Sequence, residues 1–426
     1  MVRPSTVSGR CDAPPSKSYT HRAFTLALLA DSTLVREPLL GEDCLATLAA
    51  VERLGGKVER RPEGVLVQGA EPQTPDDVID CRNSGTTMRL ITAVAALAPG
   101  TSVLTGDVTL RRRPMQALLD ALHPLGAEAW STRGNGAPPV VVRGPLQGGH
   151  TSLAGDVSSQ YVSALVLAGT RAPKGLELAV TTPLKSRPYV DITLDMVRRF
   201  GGRVEVAEPG TPDAGPTFRV AGRQRLQAAE YRVPGDFSSA AFPLGAAAIT
   251  GGTVAVGNLD LANPQGDKAI VDVLARFGCK VRKSPTEVAV TGGALHGTTV
   301  DLGDTPDMFP LLCAVAAHAR GETVLHNARH LRFKESDRIA AMARELRKMG
   351  VDIVEREDGA VIRGGPVHAA NGVETHGDHR VLMACAVAAL GADGPVEILD
   401  DGSHAVSYPS FPDDLRRMGG DVEVRP

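Results

Sequence analysis

One short phrase occurs six times in the 426 residues of this chain, as an amphipathic run that stops at a glycine and continues into β-favouring sequence. ERLGGKVE (52–59) and RRMGGDVEV (416–424) are two copies. Glycine adopts the left-handed conformation at little cost, so each copy predicts the end of a helix followed by a strand. The key glycines are spaced by 71, 75, 77, 72 and 69 residues, so that six repeats account for the chain. They are Gly55, Gly126, Gly201, Gly278, Gly350 and Gly419.

Each repeat also contains a second helix-like segment that is apolar nearly all round and rich in small residues. RAFTLALLA (22–30) and TTMRLITAVAALA (86–98) are examples, and strand-like phrases such as GGTVAVGN follow segments of this kind. A helix that is apolar on every side belongs inside a domain. Each repeat therefore predicts a buried helix, a strand, an amphipathic helix and further strand. The other four segments of this kind lie at 159–169, 238–249, 307–319 and 378–390.

The six-fold period predicts an α/β protein of two domains, each with three repeats, in which the buried helices are bundled inside and the sheets lie outside. An ordinary doubly wound sheet, where strands and helices also alternate, is the alternative that the pattern leaves open. The polar segment GRQRLQAAEYRVPGD (222–236) marks the boundary, because the third repeat ends there.

Charge and cysteine content exclude several classes of partner. The formal net charge of −3 provides no electrostatic attraction to nucleic acid or to an acidic membrane. The six cysteines form no CxxC pair, which argues against a disulfide framework or a zinc motif. No apolar run reaches the roughly 18–20 residues that cross a bilayer, and the N-terminus lacks an apolar signal core. We expect a cytoplasmic monomer without nucleic acid or membrane as partner.

Polar residues are concentrated at the starts of the six buried segments, which read PSKSYTHR, RNSGTTMR, VSSQY, FSSA, TPDMF and GDHR. Ser, Asn, Thr and Asp are ordinary helix caps, but a helix N-terminus also presents free N–H groups and partial positive charge to anions. Several such ends beside cations predict a site for multiply charged anions, whereas Arg111 and Arg112 are expected to be solvated. The candidate cations are Lys17, Arg22, Arg113, Lys334, Arg338 and Arg380.

Two acidic residues accompany these cations. FKESDR (333–338) is predicted to begin an amphipathic helix that places Lys334 and Arg338 on one face, with Glu335 beside them. Asp307 opens another helix. Nearby cations stabilise a charged carboxylate and burial opposes it, so the proton affinity of such a group is tunable. Two acids among cations suit general acid–base catalysis on anionic substrates.

Common catalytic and metal-binding motifs are absent from the sequence. It contains no GxxxxGK[ST] loop, GxGxxG turn, GxSxG elbow or HExxH pair. His376, Asp378 and His379 are interpreted as cap and packing residues of a helix start. We therefore expect no bound metal.

Seven further phrases are informative together: PPSKSYTHRA (14–23), NSGTTMR (83–89), RRP (112–114), SSQY (158–161), KSRPYVDIT (185–193), FKESDR (333–338) and DHR (378–380). In combination they resemble the EPSP synthase family of enolpyruvyl transferases. The resemblance implies a two-lobed inside-out α/β barrel, in which each lobe contains three βαβαββ repeats with buried helices. It also implies one lobe of residues 1–15 and 230–426, a second of residues 16–229, and an active site in the cleft between them.

The family reaction transfers the enolpyruvyl group of phosphoenolpyruvate to the 5-hydroxyl of shikimate 3-phosphate and releases phosphate. It belongs to the shikimate pathway of aromatic amino acid biosynthesis and proceeds by addition and elimination, without metal or organic cofactor. By this resemblance, Asp307 is the base near the 5-hydroxyl and Glu335 the acid–base group at the methylene carbon. Lys17 is a competing proton carrier.

The resemblance also implies two sets of ligand contacts. Gly85 has a physical reason to be among them, since a residue without Cβ lets the backbone approach a ligand. In having a glycine at position 85, the chain resembles the glyphosate-sensitive members of the family. The set for shikimate 3-phosphate is Lys17, Ser18, Arg22, Ser158, Ser159, Gln160, Ser186, Asp307 and Lys334. The set for phosphoenolpyruvate is Lys17, Asn83, Gly85, Arg113, Gln160, Arg338 and Arg380.

One departure from the family and two alternatives bear on this interpretation. Many members have a lysine for phosphoenolpyruvate where this chain has Val406. The sister enzyme acting on UDP-N-acetylglucosamine usually carries a reactive cysteine in the loop that corresponds to TGDVTLRRRPMQ (105–116), which contains none. A non-catalytic anion-binding repeat protein would explain the helix starts but not Asp307 and Glu335.

Overall fold

The computed structural model describes residues 1–400 and 402–425, and the chain forms two compact units. The first unit comprises Met1–Pro14 and Pro234–Pro426, and the second comprises Pro15–Val233. The sequence predicts divisions after residues 15 and 229.

Twelve α-helices lie within the described residues. Six of them have nearly all of their side chains buried and correspond to the six apolar segments, which confirms that prediction. None of the described helices is both long and apolar enough to cross a membrane. The helices are α1 (Lys17–Leu29), α2 (Glu42–Arg53), α3 (Gly85–Ala95), α4 (Gln116–Leu122), α5 (Ser159–Gly169), α6 (Arg187–Arg199), α7 (Phe237–Thr250), α8 (Ile270–Arg276), α9 (Phe309–Ala317), α10 (Arg338–Lys348), α11 (His379–Ala389) and α12 (Phe411–Arg417).

The glycine of each repeated phrase follows an even-numbered helix, from α2 to α12. All six have positive φ, between 77° for Gly201 and 104° for Gly278. The left-handed conformation reverses the chain at the helix end and directs it into the next strand. The predicted glycine-terminated helices are therefore confirmed.

The described strands form six four-stranded sheets, three in each unit. The strands are β1 (Val2–Arg3), β2 (Gly9–Asp12), β3 (Ser32–Arg36), β4 (Lys57–Arg61), β5 (Gly64–Gln68), β6 (Ile79–Asp80), β7 (Thr101–Thr105), β8 (Glu128–Ser131), β9 (Val140–Arg143), β10 (Gly149–Leu153), β11 (Leu176–Val180), β12 (Val204–Ala207), β13 (Thr217–Val220), β14 (Glu230–Arg232), β15 (Thr253–Gly257), β16 (Lys280–Lys283), β17 (Val288–Thr291), β18 (Thr299–Asp301), β19 (Glu322–His326), β20 (Asp352–Arg356), β21 (Gly359–Arg363), β22 (Ala370–Glu374), β23 (Val396–Leu399) and β24 (Asp421–Val422).

One sheet corresponds to each βαβαββ repeat. In the sheet β10-β11-β13-β12, strands β10 and β11 on either side of the buried helix α5 are parallel, and the other pairs are antiparallel. Three sheets gain a strand from a distant part of the chain, because β1 pairs with β23 and β24, β2 with β15, and β14 with β3. The predicted α/β class and repeats are confirmed. The described strands form six separate four-stranded sheets, and no closed barrel is present among them.

Each unit has its own hydrophobic core, built around its three buried helices. Every residue of α9 and α11 is buried, so these helices lie at the centre of the first unit. Small residues allow the helices to approach closely: a Cβ on Gly245 of α7 would lie 2.6 Å from Leu311 Cδ1 of α9. This packing brings the N-terminal ends of neighbouring buried helices together, which positions the candidate site residues.

Candidate active site

In the second unit, the N-terminal ends of α3 and α5 are joined through Gln160. Its Oε1 accepts a hydrogen bond from Arg89 Nη1 at 2.7 Å, and its Nε2 donates to Thr86 Oγ1 at 3.0 Å. Both partners lie in the first turns of α3, so the contact aligns the two helix ends. Gln160 was predicted from the sequence, whereas Arg89 was not singled out within its motif.

Lys17 is the first residue of α1 and forms an ion pair with Asp43 of α2. Its Nζ lies 3.1 Å from Asp43 Oδ2, and the two side chains are only 13% and 7% exposed. The pair fixes the direction of the lysine ammonium group. Sequence reasoning missed Asp43, because an acidic residue in the first turn of a helix is an ordinary match to the helix dipole.

Arg113, Asn83 and Gly85 form a compact group at the start of α3. Asn83 Oδ1 accepts from Arg113 Nη2 at 2.5 Å, and Asn83 Nδ2 donates to Asp107 Oδ2 at 2.7 Å. A Cβ at Gly85 would lie 2.8 Å from Arg113 Nη1 and 2.9 Å from Arg89 Nη1. The missing side chain therefore leaves room for two guanidinium groups at this helix end.

The predicted serines stand at helix starts of the same unit. Ser158 caps α5, with its Oγ accepting from Gln160 N at 3.3 Å, and Ser159 is the first residue of that helix. Ser18 is the second residue of α1. Ser186 precedes α6 with φ 53° and ψ 37°, a left-handed conformation that disfavours residues other than glycine. Strain of this kind concentrates at ligand sites.

Arg22 is 1% exposed and connects α1 with α6. Its Nε donates to Thr193 Oγ1 at 2.7 Å, its Nη1 to the Ser18 carbonyl at 2.9 Å and its Nη2 to the Tyr189 carbonyl at 2.9 Å. Burial lowers the pKa of Arg22 to about 10, so the group is charged at neutral pH. These contacts place the start of α1 against α6, and a direct contact with ligand remains a prediction.

Arg338 is the centre of the polar cluster in the first unit and is 1% exposed. Its Nε donates to Asp378 Oδ2 at 2.8 Å, its Nη1 to Asp307 Oδ1 at 2.7 Å and its Nη2 to Glu335 Oε2 at 2.7 Å. Burial acts to lower the pKa of Arg338, but the three carboxylates outweigh it and raise that pKa above its usual range. The two predicted catalytic acids thus contact one buried guanidinium.

Arg380 provides a second cation for Asp307, since its Nη2 lies 3.1 Å from Asp307 Oδ2. Asp378 caps α11 and accepts from the Arg380 N–H at 2.9 Å and from Ser336 Oγ at 3.0 Å. Asp378 was predicted as a cap, which is confirmed. Its pairing with Arg338 was missed, because the two residues are far apart in sequence.

The prediction that Lys334 and Arg338 share one helical face is wrong. Helix α10 begins only at Arg338, after Asp337, whose Oδ1 accepts from Ala340 N at 3.0 Å. Lys334 follows the 3₁₀ turn Arg329–Phe333 with φ −90° and ψ −153°, which is extended backbone. The reason is that an aspartate satisfies a free N–H of the helix start better as a cap than as an interior residue.

Asp267 is an acidic residue of this cluster that sequence reasoning also missed. It is 3% exposed, and Ser238 Oγ of α7 donates a short hydrogen bond to its Oδ2. Burial raises the pKa of Asp267 to about 7; the charge of Asp307 acts in the same direction, and Arg380 opposes both. It lies in the short 3₁₀ turn Gly266–Ala269 before α8, outside the polar helix starts that the sequence predicts.

Four further positions that the sequence analysis named have no direct part in these clusters of charged residues. His376 Nε2 lies 2.9 Å from Glu345 Oε1, and with Glu374 these are the only described side chains grouped closely enough to suggest a metal site. Glu345 already contacts Lys348 Nζ at 2.7 Å. Val406 ends a short 3₁₀ turn and offers no polar atom from its side chain. Arg111 and Arg112 are exposed, as expected.

The structure thus defines a class of protein: an α/β chain of six βαβαββ repeats, with arginines, a lysine and carboxylates at the starts of its buried helices. The sequence profile of EPSP synthase (3-phosphoshikimate 1-carboxyvinyltransferase) matches residues 2–415. The chain belongs to this family, which confirms the predicted family and the predicted enzyme class.

Individual relatives agree along the full length. The chain is 45% identical over 427 residues to the 3-phosphoshikimate 1-carboxyvinyltransferase of Methanocella arvoryzae, with 99% of each chain covered. It is 48% identical over 432 residues to the protein of the same name from Halobacterium salinarum, again with 99% of each covered. A solved EPSP synthase from Acinetobacter baumannii matches with a TM-score of 0.81 and 32% identity, covering 100% of this chain and 99% of that one. The UDP-N-acetylglucosamine alternative is not favoured.

Proposed function

We propose that this chain transfers the enolpyruvyl group of phosphoenolpyruvate to the 5-hydroxyl of shikimate 3-phosphate and releases phosphate. The observation that carries the proposal, beside family membership, is the Arg338 cluster. Two carboxylates, Asp307 and Glu335, contact the same buried guanidinium at 2.7 Å, and Asp307 also contacts Arg380. Acids fixed on cations that also attract anionic ligands suit proton transfer to and from an anionic substrate.

Phosphoenolpyruvate carries a carboxylate and a phosphate, and each unit offers cations for such groups. In the second unit we assign its binding to Lys17, Asn83, Gly85, Arg113 and Gln160. Arginine is suited to this task because its planar fork forms paired hydrogen bonds with both kinds of anion. In the first unit we assign its binding to Arg338 and Arg380.

Shikimate 3-phosphate requires hydroxyl donors for its phosphate and acceptors for its ring hydroxyls. The second unit offers helix-start hydroxyls and amides, which suit a phosphate. In the first unit, Lys334 offers a cation, and Asp307 offers an acceptor for a ring hydroxyl. The assigned residues of the second unit are Lys17, Ser18, Arg22, Ser158, Ser159, Gln160 and Ser186.

In the addition step, the oxygen of the 5-hydroxyl forms a bond to the central carbon of phosphoenolpyruvate, and Asp307 accepts the proton of that hydroxyl. Glu335 donates a proton to the methylene carbon, and Lys17 is the alternative donor. The anionic substrate competes with Glu335 for Arg338. Because Glu335 then loses part of the stabilisation of its charged form, its proton affinity rises. In the elimination step, Glu335 takes a proton back from the same carbon, the bond to phosphate breaks, and the double bond is restored. The departing phosphate leaves with the proton held by Asp307.

Phosphate release from the two substrates without added metal tests the function. We expect turnover with shikimate 3-phosphate; its absence in correctly folded protein would refute the proposal. Turnover with UDP-N-acetylglucosamine alone would indicate the sister activity. Glu335→Gln should keep ligand affinity and lose most turnover, whereas Glu357→Gln, at an exposed ion pair with Arg329, should be unaffected. A near-normal rate for Glu335→Gln would remove this residue from its role.

We further propose a cytoplasmic monomer whose partners are these small molecules alone, without nucleic acid, metal or organic cofactor. The small net charge and the absence of a cysteine-based metal motif from the sequence support this. Light scattering tests the oligomeric state, and a stable dimer would contradict it.

A further inference from the structure

The buried carboxyl group of Asp267 lies in the 3₁₀ turn Gly266–Ala269, which directly precedes α8 and is attached to the start of α7. Gln265 provides the attachment: its Oε1 accepts from Phe237 N at 2.9 Å and its Nε2 donates to the Gly235 carbonyl at 2.9 Å. Two residues further on, Asp267 Oδ2 accepts from Ser238 Oγ of the same helix. This turn therefore holds the Asp267 carboxyl in one place, where the residue is 3% exposed.

Asp267 interacts with the groups that the proposed reaction uses. The charged groups that act on it are Asp307, Arg380 and Asp236, and Ser238 contacts it directly. Arg380 already contacts Asp307 at 3.1 Å. When Asp267 is ionised, Arg380 therefore interacts with the negative charges of both Asp267 and Asp307, and when Asp267 is neutral one of these two charges is absent.

We propose that Asp267 is a positioning residue whose protonation controls the affinity for phosphoenolpyruvate. In its neutral form it leaves the charge of Arg380 to the substrate, and in its ionised form it repels the anion. This inference rests on the proposed function, and in particular on the assignment of Arg380 to phosphoenolpyruvate.

The direction follows from electrostatics in a buried site. A negative charge added beside an anion-binding guanidinium weakens anion binding, and the effect is large because little water screens it. Burial and the neighbouring Asp307 raise the pKa of Asp267 to about 7, so the change falls in the range where enzymes are assayed. The Ser238 hydroxyl donates to the ionised form and opposes that rise.

The test is a pH profile of KM for phosphoenolpyruvate in the intact protein, from about pH 5.5 to about pH 9. Asp267→Asn is neutral throughout and still accepts from Ser238. We expect the ratio of wild-type KM to variant KM to rise from near one in acid to about tenfold in alkali, a coupling of one pKa unit. The rise should begin near pH 7 and extend about one pH unit above it, because the bound anion raises the pKa of Asp267 by the same coupling; kcat should change little. Titration of the substrate phosphate is common to both proteins and cancels in the ratio.

Ser238→Ala provides a second and independent variant. Without the hydroxyl donor the ionised form is less stable, so the rise in KM should move to higher pH than in the wild type. Asp272→Asn is the matched control, since Asp272 lies in α8 with 75% of its side chain exposed and forms an ion pair with Lys283. Its profile should match the wild type.

A constant ratio across the pH range for Asp267→Asn would overturn the inference, as would an unchanged midpoint for Ser238→Ala. If Asp267→Asn does not fold, the pH profile of KM for Ser238→Ala tests the inference by itself. Failure of the proposed function is distinguishable, because the wild-type protein would then show no turnover at any pH.

Discussion

A methyl group added at Gly85 is the smallest change that should disturb the anion-binding end of α3. Gly85 is the first residue of this helix and has no positive φ, so alanine fits its backbone. The new Cβ, however, would lie 2.8 Å from Arg113 Nη1 and 2.9 Å from Arg89 Nη1. Both distances are shorter than normal contacts, so the two guanidinium groups must move.

Their movement has an energetic cost because each is held by a hydrogen bond. Arg113 contacts Asn83 Oδ1 at 2.5 Å, and Arg89 contacts Gln160 Oε1 at 2.7 Å. Loss or distortion of one charge-assisted hydrogen bond costs about 1.5–3 kcal/mol. If about 1–2 kcal/mol of this appears in substrate binding, KM for phosphoenolpyruvate should rise about 5- to 30-fold.

The stability of the protein should not fall in parallel. Alanine favours a helix over glycine by up to about 1 kcal/mol, which offsets the strain at the two arginines. Steady-state kinetics would measure KM and kcat, and thermal unfolding would measure Tm. Gly210→Ala is the matched control in the same unit, because a Cβ there meets no atom within 4 Å.

Two results would refute this reasoning. An unchanged KM for phosphoenolpyruvate would show that Arg113 and Arg89 are not displaced or do not serve the substrate. A large fall in Tm with a proportional loss of kcat would show instead that the alanine disrupts the fold.

Two further predictions concern the first unit. Asp267 keeps its proton up to about pH 7 when folded but loses it near pH 4 when unfolded, so its burial destabilises the fold increasingly as pH rises between these values. The stabilisation of Asp267→Asn, measured by urea unfolding, should therefore grow from pH 4 to a limit of about 4 kcal/mol above pH 7; an equal effect at both ends would contradict it. Arg338→Lys should lower the unfolding free energy by about 3–5 kcal/mol and raise KM for phosphoenolpyruvate, because one ammonium group cannot replace three nitrogens that contact three carboxylates. Arg344→Lys on the exposed side of the same helix should leave both unchanged, and equal effects at the two sites would refute the role of Arg338.

Much of the fold could be predicted because the relevant physics is local. The conformational freedom of Gly201 or Gly278 depends on that residue alone, and it ends a helix wherever it occurs after an amphipathic run. An apolar segment such as α9 must be buried whatever its neighbours are. The positions of the helix N-termini along the chain can therefore be predicted without knowing how the helices pack.

The candidate site was predictable only in part. Lys17, Asn83 and Arg380 stand in motifs at helix starts, where their chemistry is visible. Asp43 also lies in a helix first turn, but neither it nor Asp267 belongs to such a motif, and each is recognisable only by its interactions with residues distant in the chain.

The amino-acid sequence by itself determined the six repeats, their buried helices and the polar residues at the helix starts, because these depend on residue type and spacing. The tertiary structure decided which charges meet. Arg338 contacts Asp307 and Asp378, which lie 31 and 40 positions away, and this pairing arises from helix packing. The structure also shows that Lys334 lies outside α10, because the Asp337 cap starts that helix at Arg338.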